Sequence, residues 1–158
     1  MKRLLSYQFN DAIQVAEASI PPKIMARLAG VDYCCGVDPV FVGLHRYTEA
    51  KDGRPYSATA HVAWTMHQKH LPLANRVPTV VLPVEVEPET VAHELGHALH
   101  EQLDFGLRAA PVTAYAQTNR WEAFAEAFTA WLGWYGEDFR AAVDEKTRAL
   151  FHRLAMGN

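Results

Sequence analysis

The residues best equipped for chemistry are His93, Glu94 and His97, in the run His93-Glu94-Leu95-Gly96-His97. Two histidines four apart project from one face of a helix and can take two corners of a metal tetrahedron. Glu94 lies about 100° round the helix from His93. There its carboxylate is badly placed to join the same coordination but can reach a water held by the metal. This pattern points to metal-assisted hydrolysis. Zn²⁺ lowers the pKa of a bound water towards about 7, and Glu94 takes the proton as general base and passes it to a leaving amine.

Downstream, Glu122 and Glu126 are again four apart. Thr129 and Gly133 share their stripe, while Phe124, Phe128, Trp131, Leu132 and Tyr135 fall on the far side. Two carboxylates on a stripe of small residues, opposite an aromatic face, predict a helix held close to another one. Taken alone, Glu122 fits a capping box with Asn119, and Glu126 a solvated helix face. Beside a His-Glu-x-x-His run they read as part of a site. Tyr115, taken alone, is an aromatic packing a loop. His100 lies one turn beyond His97 on the same side, which makes it a candidate fourth ligand, a ligand-orienting group or a cleft wall. The extended pattern with a third histidine is excluded, because it needs Gly at position 100 and His at 103, where this chain has His100 and Leu103. His45, His61, His67, His70 and His152 show no ligand spacing to one another. His61 alone falls on a strand expected to line the cleft.

The positioning elements can be read from periodicity. Residues 8–19 carry Phe9, Ile13 and Ala16 at helical spacing, and Pro21-Pro22 break the segment before a short helix, Lys23 to Leu28. Val37 to Leu44 and Ser57 to Thr65 read as strands. Val77 to Val86 reads as a third, short or at a sheet edge because of Pro78 and Pro83. A helix opens at Pro88 and runs to about Leu103. Ala92, Leu95, Gly96, Leu99 and Leu103 form its core side, turned away from His93 and His97. Gly96 costs about 1 kcal/mol of helix propensity, which close packing of a neighbouring backbone would explain. Phe105 to Val112 is a loop. Further helices are expected from Arg120 to Tyr135, stopped by Gly136, and from Glu137 to Ala155. The order is α+β, in one domain over residues 1–158.

Composition agrees. The chain has 158 residues, 49% hydrophobic and 21% charged, enough for a packed core and against disorder. A net charge of -3 gives no basic excess for nucleic acid or an anionic membrane. The 8 histidines raise the expectation of metal binding. Cys34 and Cys35 are adjacent, which excludes a disulfide framework and lacks thiolate-metal spacing, so they read as small thiols in or near the core. Ser6, Gln8, Asn10 and Asp11 interrupt any signal-like apolar stretch, and no run is long enough to span a membrane. The expectation is a cytoplasmic protein, bacterial or phage-encoded.

The stretch from Tyr115 to Phe128 resembles the catalytic segment of the anthrax lethal factor-like metallopeptidases, which include the Pro-Pro endopeptidases. In that family the metal-binding helix is followed by a tyrosine and, seven residues later, a glutamate ligand within a Glu-x-Phe-Ala-Glu-Ala-Phe-like sequence. Here Tyr115 precedes Glu122 by seven, and Thr118-Asn119 and Phe124-Ala125-Glu126-Ala127-Phe128 match as well. The likeness covers roughly Val80 to Tyr135, about a third of the chain. It implies a minimal zincin-like domain with a small mixed sheet, an active-site helix and C-terminal helices. It implies zinc held by His93, His97 and Glu122, with Glu94 as base. Tyr115 would donate to the developing oxyanion, and Glu126 would orient a ligand histidine. An extended peptide or protein substrate would add to an edge strand, Ser57 to Thr65 or, failing that, Val77 to Val86. The loop between the two motifs is shorter than in the toxin, so substrate specificity is not carried over.

Two other readings compete. Antirepressor-type metallopeptidases share similar His-Glu-Leu-Gly-His text, but their downstream Glu-Ala-Asn-x-Phe-Ala spacing does not fit Glu122. A non-catalytic zinc domain that binds peptides would need neither Glu94 nor Tyr115. Proteases with a third histidine ligand are disfavoured, because only His152 follows His100.

Overall fold

The computed structural model describes residues 7–35, 63–67, 71–83 and 85–158. The expected strand at Val37 to Leu44, most of Ser57 to Thr65, and His45, His61 and His70 lie outside these residues. The described elements are α1 (Tyr7–Ser19), α2 (Pro22–Arg27), β1 (Asp32–Cys35), β2 (Trp64–Met66), β3 (Thr79–Leu82), α3 (Pro88–Gln102), α4 (Arg120–Trp131), α5 (Glu137–Ala142) and α6 (Glu145–Met156). Single 3-10 turns stand at Leu73–Asn75 and Tyr115–Gln117. This is an α+β arrangement, two helices, a small sheet and then four more helices among the described residues. No helix among the described residues is long and apolar enough to cross a membrane.

The sheet has the order β1-β3-β2. β1 runs parallel to β3, with Tyr33 opposite Val80, and β2 runs antiparallel, with Thr65 opposite Val80. Of the two expectations for β3, short or at an edge, the structure bears out the first. It is short, but it is the middle strand, and Val80, Val81 and Leu82 are fully buried. Pro78 and Pro83 flank the paired run rather than interrupt it, so neither removes a ladder donor. Pro78 instead accepts a hydrogen bond from Asp32 N at 3.1 Å. With both sides paired, β3 has no free edge for a peptide. β2 pairs only with β3 among the described residues. β1 was not foreseen, since Asp-Tyr-Cys-Cys carries no strand periodicity. Cys34 on it is buried and outside any disulfide. Tyr33 ties the strand to α1 by donating to Glu17 Oε1 at 2.9 Å.

α3 opens with Pro88 at its first turn and Glu89 beside it, both favourable at a helix N-terminus. Its buried side carries Val91, Ala92, Leu95, Ala98 and Leu99. It crosses α4 at Gly96, where a Cβ would stand 3.0 Å from Ala125 Cα and 3.3 Å from Ala125 O. The missing side chain is what lets the two backbones touch. α4 is capped by Asn119, whose side chain accepts from the Trp121 and Glu122 amides at 3.0 Å each. Its aromatic face, Phe124, Phe128 and Trp131, packs around Phe151 of α6, with ring centroids 5.2 to 5.5 Å away.

Two helix ends differ from expectation. α4 stops at Gly133 rather than Gly136. Gly133 takes φ 94°, and the Gly133 and Trp134 amides bond back to Ala130 O and Thr129 O, a Schellman ending. The expected single C-terminal helix is two, because Asp144 caps a new start. Its carboxylate accepts from Thr147 N, Thr147 Oγ1 and Ala110 N at 3.0, 2.7 and 3.0 Å.

Two substitutions test this packing. Gly96→Ala gains helix propensity of about 1 kcal/mol but forces α3 off α4, and we expect a net loss of about 1–3 kcal/mol in urea unfolding. Asp144→Ala should cost about 1 kcal/mol in the same assay, leaving the far-ultraviolet spectrum unchanged.

Candidate metal centre

α3 presents His93 and His97 on one side, and their Nε2 atoms are 3.1 Å apart. α4 brings Glu122 against both, its Oε2 lying 3.1 Å from His93 Nε2 and 3.2 Å from His97 Nε2. Ligand atoms bound about 2.0–2.1 Å from a tetrahedral centre are separated by about 3.3 Å. The three atoms therefore nearly trace one face of such a tetrahedron. His93, Glu94 and His97 also form a buried group whose ligand atoms lie within 4.8 Å of one another and could hold a metal ion. Within that group Glu94 is differently held. Its Oε2 accepts from Thr65 Oγ1 on β2 at 2.6 Å. The structure thus puts Glu122 against the two imidazoles and keeps Glu94 alongside.

Glu126 lies one turn after Glu122 on α4 and is buried. Its Oε1 is 2.8 Å from His93 Nδ1 and accepts from Tyr135 Oη at 2.7 Å. Its Oε2 accepts from Thr113 Oγ1 at 2.6 Å. Tyr115 sits on the 3-10 turn before α4, 57% exposed, its ring 6.1 Å from that of His93. An open cleft of about 330 Å³ lies on this side, walled by His93, Glu94, Tyr115, Glu126 and Tyr135 together with Ala63, Glu89 and Thr90.

Electrostatics follow from this crowding. Burial alone would lower the His93 pKa, but hydrogen bonds to Glu122 and Glu126 and the charges of Glu94 and Glu126 raise it to about 9. Burial would raise that of Glu122, yet the two histidines hold it down to about 2. Glu126 is likewise drawn down, against its burial, by the donors His93, Thr113 and Tyr135. Burial and the surrounding carboxylates push Tyr115 up, so its phenol keeps its proton.

His100 is not brought to this cluster. It is fully buried, stacks on Phe124 at 4.1 Å, and donates from Nε2 to Leu107 O at 3.0 Å. Burial pushes its pKa down to about 4. Its work is to fasten the loop after α3, where Asp104 and Phe105 take φ 52° and 57°. His152 is exposed on α6 beside Trp131.

Several neighbours were missed. Thr65 and Thr113 gave no signal, since a hydroxyl's partner depends on where distant chain segments cross. Glu101 did give one, standing four residues after His97. It is fully buried and 2.7 Å from His67 Nδ1, and the His67 ring meets that of His97 at 6.2 Å. Tyr135 was assigned to the aromatic face. The Gly133 turn instead carries it back to the carboxylate stripe.

Comparison with known proteins returned no matching family model, no matching curated protein and no matching solved structure.

The His93–Glu122 pair predicts how the metal-free chain responds to pH. The raised His93 contributes stability that is complete below its ordinary value of 6.5 and is lost as pH rises towards about 9. The lowered Glu122 contributes stability that is complete above 4.5 and is lost as pH falls towards about 2. Urea midpoints measured in chelator should therefore peak between these limits, and Glu122→Gln should flatten both flanks.

Proposed function

We propose that the protein is a zinc endopeptidase of the glutamate-ligand zincin type, similar to the lethal factor-like enzymes. The observation that carries this reading is the triangle of His93 Nε2, His97 Nε2 and Glu122 Oε2 with sides of 3.1 to 3.2 Å, beside a separately held Glu94. Two imidazoles and one carboxylate suit zinc better than the oxygen-seeking Ca²⁺ or Mg²⁺. Three ligands on one face leave the opposite side open to a substrate. A closed structural site would fill that position, commonly with Cys.

Zinc in this place supplies Lewis acidity, polarising the scissile carbonyl and acidifying the attacking water. The chain's own groups do the rest. Thr65 occupies Glu94 Oε2, which leaves Oε1 to take the proton from water and deliver it to the departing amine. Tyr115, protonated and beside His93, donates to the oxyanion as the carbonyl carbon becomes tetrahedral. Glu126 fixes the ring of His93 through Nδ1 and sets which nitrogen faces the metal. The side of β2 that is unpaired among the described residues, joined through Thr65 to Glu94, is where an extended peptide would add as a strand. We take its substrates to be intracellular proteins that present such segments.

Elemental analysis tests the metal. Wild type purified without added metal should hold one zinc per chain and Glu122→Ala much less; a metal-free wild type would overturn the assignment. Glu94→Gln should keep the zinc and lose about 10²–10⁴ in kcat on a peptide library. In cell extract, new N-termini should appear with wild type and not with Glu94→Gln. Zinc retained with no cleavage of any peptide or unfolded protein would favour a non-catalytic peptide-binding domain.

A further inference from the structure

Tyr115 has a positional problem. It stands on one 3-10 turn, Tyr115–Gln117, and more than half of it faces solvent. A turn of three residues has no stability of its own, and a phenol that must meet a developing charge needs a fixed place. The fixing point is Thr113. Its Oγ1 accepts from the Ala116 amide at 3.0 Å, inside the turn, and donates to Glu126 Oε2 at 2.6 Å. A hydroxyl has one proton to give, so these two bonds define its orientation. Ala116, the buried residue of the turn, is held against α4 at 2% exposure. The other oxygen of Glu126 takes His93 Nδ1 at 2.8 Å.

We propose that Thr113 is a positioning residue that sets the Tyr115 phenol relative to His93, by joining the amide of the tyrosine's turn to the carboxylate that holds the imidazole. The role given to Tyr115 rests on the peptidase reading. The link itself rests only on the hydrogen bonds. The path from the Ala116 amide through Thr113 and Glu126 to His93 links the turn, α4 and α3. Displacing a catalytic group by about 1 Å can cost about 10²-fold in rate, so a lost hydroxyl here should register although it touches neither metal nor substrate.

The test compares Thr113→Val, which keeps the shape and loses the hydroxyl, with Thr113→Ser, which keeps the hydroxyl. Amide hydrogen exchange at Ala116 should speed up about tenfold or more in the valine variant and stay near wild type in the serine variant. With zinc loaded, Thr113→Val should lower kcat by about 10- to 100-fold with KM little changed, and weaken zinc by less than about 10-fold. In a Tyr115→Phe background the same change should cost almost nothing further, because the group it positions is gone. Unchanged exchange at Ala116, unchanged kcat, or an equal loss in the Phe background would each overturn the inference. If wild type cuts no peptide, the peptidase reading fails, and the exchange rates alone decide whether Thr113 holds the turn. Should Thr113→Val not fold, Thr113→Ala removes the same hydroxyl.

Discussion

The contact on which the site depends is the touch of two helix backbones at Gly96 and Ala125. Helices with ordinary side chains between them pack about 8–10 Å apart. Here the residue facing Ala125 has no Cβ, and an added one would stand 3.0 Å from Ala125 Cα. The residues on either side of that crossing inherit the short distance. His93 and His97 flank Gly96 on α3, and Glu122 and Glu126 flank Ala125 on α4. A glutamate side chain is too short to bridge a wide gap, so wider helices would leave Glu122 short of both imidazoles. The propensity cost of a mid-helix glycine is offset by the three-cornered contact it permits.

The charges explain why this place favours a cation. Glu94, Glu122 and Glu126 surround one pair of imidazoles, and all are at least partly buried. Buried carboxylates must be neutralised or well hydrogen-bonded. In the metal-free chain a proton on His93 does this, donating from Nδ1 towards Glu126 while Nε2 faces Glu122. A divalent ion would do it better and release that proton. The hydroxyls of Thr65, Thr113 and Tyr135 serve the same need from outside. Thr65 and Thr113 donate to carboxylate oxygens that the histidines leave unsatisfied, and Tyr135 donates to the Glu126 oxygen that His93 also meets.

How much of this was legible in the sequence follows from the range of each interaction. The helical spacings His93/His97 and Glu122/Glu126 and the Asn119 cap are local, and the chain spells them out; Gly96 announced a close neighbour by its cost in a helix, but not that the neighbour is Ala125. The position of β3 is not local. Its two prolines suggested a short strand or an edge, and they mark the ends of a four-residue run that lies between two partners. The end of α4 was misplaced by four residues, Tyr135 for Trp131, because two glycines, Gly133 and Gly136, could both stop it, and the first was sufficient. Asp144 with Thr147 three residues on was a readable cap inside an otherwise continuous helical pattern. The roles of Thr65, Thr113 and Tyr135 had no sequence signal, since each is decided by where a distant segment passes.

Two bonds described above span the same long interval. Thr65 to Glu94 and His93 to Glu122 each join residues 29 apart. Such closures come late, after the helices they connect can form from local contacts. During synthesis His93 and His97 emerge well before Glu122, so for a time they offer only two of the three corners. The three-cornered arrangement is complete only once α4 docks on α3. An ion that binds only the docked form draws the chain towards it. Cofactor capture and completion of the site would then be coupled, and without the ion it is the His93 proton that lies between Glu122 and Glu126, on two helices already in contact at Gly96 and Ala125.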